Sequence, residues 1–256
     1  IRRDGSSNFG PNNKYAVFPS FSLGWNVDKE SFFPENNVLK TLKVRASWGQ
    51  NGNDQFPQSF VYMSRINTYD KNYHFGTDGE LVVGASPDEL ANPDAKWETS
   101  EQTDFGIDAT LFSSVTLSLD YYNKTTKDWL VRAPVPDIAG ATAPYINGGD
   151  VNNKGVELSL GYKTTFGDGW SFSVNANGSY NKNEVTKIAN SEGIIHGDSN
   201  LLFQGIDELN RVQVGMPIGY FYGLKTAGIF QNAAEVAAGV QPNAKPGDVR
   251  FVDLYR

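Results

Sequence analysis

From Val156 to Tyr180 apolar and polar residues alternate almost without a break. Val156, Leu158, Leu160, Tyr162 and Phe166 share one parity, and Glu157, Ser159, Gly161 and Lys163 the other. Beyond Gly167-Asp168-Gly169, Trp170, Phe172, Val174, Ala176 and Tyr180 alternate with Ser171, Ser173, Asn175, Asn177 and Ser179. Successive side chains of a strand point to opposite faces, so this is a long hairpin with one apolar and one polar wall. Its glycine-rich tip suits the positive backbone angles of a tight turn. The same period predicts strands at 15–26, 41–49, 102–112 and 115–131, besides 153–166 and 169–187. Phe18 breaks the alternation of the first, beside Pro19.

Trp170 and Tyr180 bracket the apolar wall ten residues apart. In a tilted strand that separation is about 25 Å, the height of the apolar band between the aromatic girdles of an outer-membrane barrel. Phe166, Trp170, Tyr180 and Trp97 are the candidate interface anchors; the rival place for Trp97 is a wall of the lumen. The connections at 113–114 and 167–169 are short. Those at 49–101, 132–152 and 188–256 are long. Such segregation fits short periplasmic turns and long extracellular loops. The fold expected is all-β, an antiparallel transmembrane barrel segment, with the Phe166–Trp170 tip on the periplasmic side. A soluble carbohydrate-binding β-sandwich is the alternative, and a secreted hydrolase a weaker one. Six strands do not close a pore, so residues 1–256 are expected to be part of a longer barrel.

Composition narrows the chemistry. A net charge of −7, without a basic cluster, speaks against nucleic acid. With no cysteine, disulfides and thiolate chemistry are excluded. No run of eighteen apolar residues occurs, and the mean hydropathy is −0.43; a barrel tolerates both, because its lumen-facing residues are polar. His74 and His196 lie in different loops, where solvated side chains are the default over a metal pair. Asp104, Asp108 and Asp120 fall on polar faces. They read as solvated wall residues before they read as acid–base pairs. Asn51-Gly52-Asn53-Asp54 reads as turn chemistry rather than a calcium or sugar site. Asn123-Lys124-Thr125 and Asn177-Gly178-Ser179 match a glycosylation pattern that carries little weight in a bacterial barrel. Tyr73, Trp129 and Tyr145 lie in or near the predicted outward loops and are candidate platforms for cargo.

Several blocks then resemble one family. FPSFSLGWNV, LKVRASWGQNGND, ANPDAKWETSEQTDFGIDATLF, LSLDYYNKTTKDWLV, GGDVNNKGVELSLGY, SVNANGSYNKNEVTKI, GMPIGYFYGLKTAGIFQN and NAKPGDVRFVDL occur in order and are similar to SusC/RagA TonB-linked outer-membrane transporters. The resemblance implies a barrel of about 22 strands, with the plug domain and other strands outside this sequence. It further implies a Gram-negative outer membrane, a SusD-like lipoprotein lid, TonB acting through the plug, and an oligosaccharide or peptide as cargo. It implies transport rather than catalysis, and no cofactor. The residues after Asp253 depart from the family's acidic turn, so no metal site is carried over to that position.

Overall fold

The computed structural model describes residues 1–55, 59–69, 72–75, 79–133, 135, 137–167, 169–199, 201, 204–205 and 208–252. Asp168 and Asp253 lie outside them. The chain divides into two compact units, 1–194 with 213–218, and 195–212 with 219–256.

The first unit is dominated by one six-stranded sheet. Its strands are β1 (Ser20–Asn26), β2 (Leu39–Asn53), β3 (Glu98–Leu111), β4 (Val115–Arg132), β5 (Tyr145–Phe166) and β6 (Trp170–Ile188). Each pairs antiparallel with the next along the chain, so the sheet is an up-and-down meander. Register fixes the faces. Leu23, Ala46, Phe105, Tyr121, Val156 and Tyr180 form one cross-strand row, and Trp25, Val44, Ile107, Leu119, Leu158 and Gly178 the next. Gly24, Arg45, Gly106, Asp120, Glu157 and Ser179 form a row on the opposite face. The apolar rows are uncovered: Phe105 is 55% exposed and Leu158 38%. Among the described residues no second sheet packs on either face. This removes the β-sandwich, whose defining feature is a core between two sheets.

Several strand limits differ from those predicted. The first predicted strand breaks at Pro19, which has no N–H to give the ladder. Tyr15–Phe18 instead pairs with Arg2–Gly5, while the Pro19 carbonyl still accepts from Gln50 N at 2.9 Å. Phe18, out of step in the alternation, is turned into a small apolar cluster with Phe9, Val61, Ala95, Trp97 and Leu130. Gly52 lies under the Phe18 ring, where a Cβ would collide with it. β5 begins at Tyr145, eight residues before the predicted start. Residues 145–152, with Gly148 and Gly149 in their midst, lack an alternating signal, yet they pair with both β4 and β6 across bulges. Residues 51–53, predicted as a turn, extend β2. The long loops therefore shrink to 54–97 and 133–144.

The 54–97 connection carries two small hairpins, Arg65–Asn67 with Ser86–Glu89 and Asn72–Phe75 with Glu80–Val83. Phe60–Met63 is a turn closed by Met63 N donating to Phe60 O at 3.0 Å. The tight ends of the sheet use positive φ, at Gly167 and Gly169 in one and at Phe112 and Ser113 in the other. In the second unit, Asn210 and Arg211 pair with Phe221 and Tyr220. Helix α1 (Ala233–Ala238) is capped by Asn232, whose side chain accepts from Glu235 N at 2.9 Å.

Leu160 lies midway along the apolar stretch of β5, between Val156 and Phe166. In the full-length protein, Leu160→Arg should cost about 2–4 kcal/mol in unfolding from bilayers, while Ser159→Arg on the polar face should cost much less. Denaturant titration in lipid vesicles measures both, and a reversed order would invert the assignment of the faces.

Candidate functional site

The polar face is organised around one cation. Arg45 on β2 stands between Gly24 of β1 and Gly106 of β3. A Cβ at Gly106 would come within 2.7 Å of the guanidinium carbon, so the glycine lets the side chain lie flat across the sheet. Arg45 Nε donates to Asp108 Oδ2 at 2.7 Å and Nη2 to Oδ1 at 3.0 Å. Nη2 also reaches Asp120 Oδ1 at 2.9 Å, and Ser118 Oγ donates to Asp108 at 2.8 Å. The planar fork of arginine suits this bidentate geometry. Asp104 accepts from Ser47 Oγ and Gln102 Nε2. Beside the network lies a depression of about 450 Å³, lined mainly by Ser118, Asp120, Glu157, Ser159, Asn177 and Ser179. The three aspartates of the sequence reading thus sit on one wall, each tied to a donor. Arg45, which that reading passed over, links two of them. Its signal was present: a basic residue at polar parity, with glycines and aspartates at the same parity in the neighbouring strands.

Towards the ends of β2, β3 and β4, Glu101 accepts from Gln50 Nε2 at 3.1 Å and Lys127 Nζ at 2.9 Å. Glu98 is buried and accepts from Asn53 Nδ2 and Leu130 N. These bonds hold the sheet together beyond its apolar rows.

The three aromatic cargo candidates do not form one platform. Tyr73 is exposed in the 72–83 hairpin, across from Val82. Trp129 is half-buried opposite Gly149, with its indole over that residue. Tyr145 packs against the apolar cluster, with the Arg132 guanidinium 4.6 Å above its ring. His74 Nδ1 lies 2.9 Å from Gly79 O, within its own hairpin. No group of acidic and histidine side chains able to hold a metal occurs among the described residues.

Comparison with known proteins completes the picture. The model of the family described as "TonB dependent receptor-like, beta-barrel" matches residues 1–243. The chain belongs to the TonB-dependent receptor β-barrel family. It is 36% identical to TonB-dependent receptor P3 of Formosa agariphila over 99% of its own length and 25% of that relative. It is 29% identical to TonB-dependent receptor SusC of Bacteroides thetaiotaomicron, over 99% of this chain and 24% of SusC. Among solved structures, the RagAB peptide importer in its closed-closed state aligns with a TM-score of 0.74 and 29% identity, over 90% of this chain and 24% of that one. The chain therefore spans about a quarter of the length of the curated relatives it matches.

In this TonB-dependent receptor barrel segment, three of the four expected interface anchors lie on the apolar face of the sheet. Phe166 and Trp170 are directly paired on that face at the tight end of the hairpin. Tyr180 lies ten residues along from Trp170, and the two are 70% and 75% exposed. Trp97 does not join them. It is only 7% exposed, with the rings of Phe9 and Phe18 centred 5.3 and 5.7 Å away. The expectation of an interface anchor at Trp97 is thus corrected: the N-terminal segment folds over it, which a strand-by-strand reading could not reveal.

The second unit holds a charged cluster of its own. Glu208 accepts from His196 Nδ1 at 2.9 Å, from Gly197 N at 3.0 Å and from Arg211. Arg211 also lies over the Tyr222 ring. Burial works against the Glu208 charge, but the His196, Arg211 and Gly197 donors outweigh it and hold the carboxyl below the ordinary glutamate range.

In the full-length protein, Arg45→Met should lower stability by about 1–2 kcal/mol, because two carboxylates on a partly solvated wall lose their counter-charge. Adding Asp108→Asn and Asp120→Asn should recover part of that loss, and strict additivity in the cycle would dissolve the network. For Glu208 the depressed native pKa sets the sign. Its contribution is complete above the unfolded value of 4.5 and is lost as the pH falls through the lower native one. Hydrogen exchange at Gly197 and Arg211, corrected for intrinsic rates, should accelerate over that acid range in wild type, and much less in Glu208→Gln.

Proposed function

We propose that this chain forms wall and outward loops of an outer-membrane nutrient importer of the SusC/RagA kind. The importer takes up oligosaccharides or peptides together with a SusD-like lipoprotein, and is driven by TonB through a plug domain. One observation carries the reading: among the described residues the sheet leaves an apolar and a polar face uncovered, in alternating rows that run across six consecutive strands. A wall between lipid and an aqueous lumen accounts for both faces; a globular domain would hide the first. Phe166 and Trp170 serve as anchors at the periplasmic interface and Tyr180 at the outer one, where aromatic side chains are favoured. The 54–97 and 133–144 loops, with Tyr73, Trp129 and Tyr145, then face outward towards lid and cargo. The likeness to the RagAB peptide importer favours a peptide, while the family resemblance leaves oligosaccharides open. Gated passage, not turnover, is the activity.

The test uses the full-length protein in its native Gram-negative host. It should sediment with the outer membrane and stay there until detergent is added. Deleting its gene should abolish uptake of one cargo class, peptide or glycan, with the other unchanged. Recovery in the soluble fraction without detergent would remove the reading. A hydrolytic activity lost in Asp104→Asn or Asp120→Asn would replace it with the hydrolase alternative.

A further inference from the structure

The apolar face ends in a defined chemical step. Above the row of Tyr121, Val156 and Tyr180, the next row on the same face is Asn123, Lys154 and Lys182, and the one after it Thr125, Asn152 and Glu184. In a tilted strand the two lysines stand about 5 Å beyond the tyrosine row, just past the apolar band where lipid headgroups begin. Lys154 and Lys182 are direct cross-strand partners. Like charges so placed repel unless an anion lies between them. Glu184 pairs with Lys182 at 2.8 Å, which still leaves one net positive charge. Among the described residues no carboxylate lies within ion-pair distance of Lys154. Its neighbours in the polar rows are satisfied among themselves, with Asn152 Nδ2 donating to Asn123 Oδ1 at 2.7 Å and to Thr125 Oγ1 at 2.9 Å.

We propose that Lys154 and Lys182, flanked by the tyrosines of the row beneath, bind the phosphate of an anionic lipid headgroup in the outward leaflet. The position supplies what such a phosphate needs. The two lysines are partners on adjacent strands, and tyrosines stand in the row directly beneath them. Tyr121 and Tyr180 stand two strand spacings apart, about 10 Å, on either side of Val156. The acyl chains of that lipid would run down the apolar rows below, towards Leu158 and Leu160. The inference rests on the membrane reading above and adds a ligand to it.

Native mass spectrometry of the purified full-length protein, titrated in detergent with diphosphorylated lipid A and with its dephosphorylated form, is the test. Wild type should bind the phosphorylated lipid far more tightly. Lys154→Gln with Lys182→Gln should weaken that binding roughly 30-fold, about fivefold for each lysine, without changing the weak binding of the dephosphorylated form. Lys154→Arg with Lys182→Arg keeps both charges and should bind as wild type does. This conservative pair also decides the matter if the glutamine variant fails to fold, because loss of binding in it would contradict a charge-based site. Equal affinity for the two lipids, or full binding by the glutamine variant, overturns the proposal. Neither result touches the membrane reading, which is tested separately by whether wild type is recovered without detergent.

Discussion

In the six-stranded sheet every backbone donor and acceptor points sideways to a neighbouring strand, so its two faces must be satisfied by side chains and solvent alone. Among the described residues no second sheet packs on either face. The apolar rows from Trp25 to Leu158 and from Leu23 to Tyr180 face away from the chain across all six strands, and the row through Arg45 and Asp120 is aqueous in character. Such a sheet is stable only between two different solvents. The same constraint bears on its edges, since lipid offers no partner for the open sides of β1 and β6. The sheet is thus a part whose stability depends on strands beyond it.

The polar face shows how a wet wall is kept rigid without a core. Gly106 gives up a side chain so that Arg45 can lie across the strand and engage carboxylates on β3 and β4. Ser118, Ser47 and Gln102 complete the pattern. Most of these bonds cross from one strand to its neighbours and so tie β2, β3 and β4 together on the polar face. Partial solvation lowers the worth of each bond, but shared donors make the set cooperative.

Beyond the apolar rows the strands continue. β5 has 22 residues, about twice what a tilted strand needs to cross a bilayer. The extension supports a small aromatic core in which Phe9, Phe18 and Trp97 pack together. This core fixes the N-terminal hairpin against the 54–97 loop, and Arg132 stacked on Tyr145 holds the start of β5. The 54–97 and 133–144 connections thus stand on a folded base and not directly on the sheet.

The sequence by itself determined the strands, their faces and the tight hairpin at Gly167, because a period of two is local and survives without tertiary context. It also contained the family, through blocks such as GGDVNNKGVELSLGY, and the polar parity of Asp104, Asp108 and Asp120. What only the tertiary structure decided depends on contacts between residues far apart in the chain. Residues 145–152 carry no alternation and became strand through pairing on both sides. Trp97 looked like a surface anchor and became a core residue, because Phe9 and Phe18, about eighty residues away, close over it. Arg45 drew no notice in the sequence until register brought it beside Gly106 and within reach of two aspartates. Periodicity tells a side chain which face it belongs to; only packing tells it what waits there.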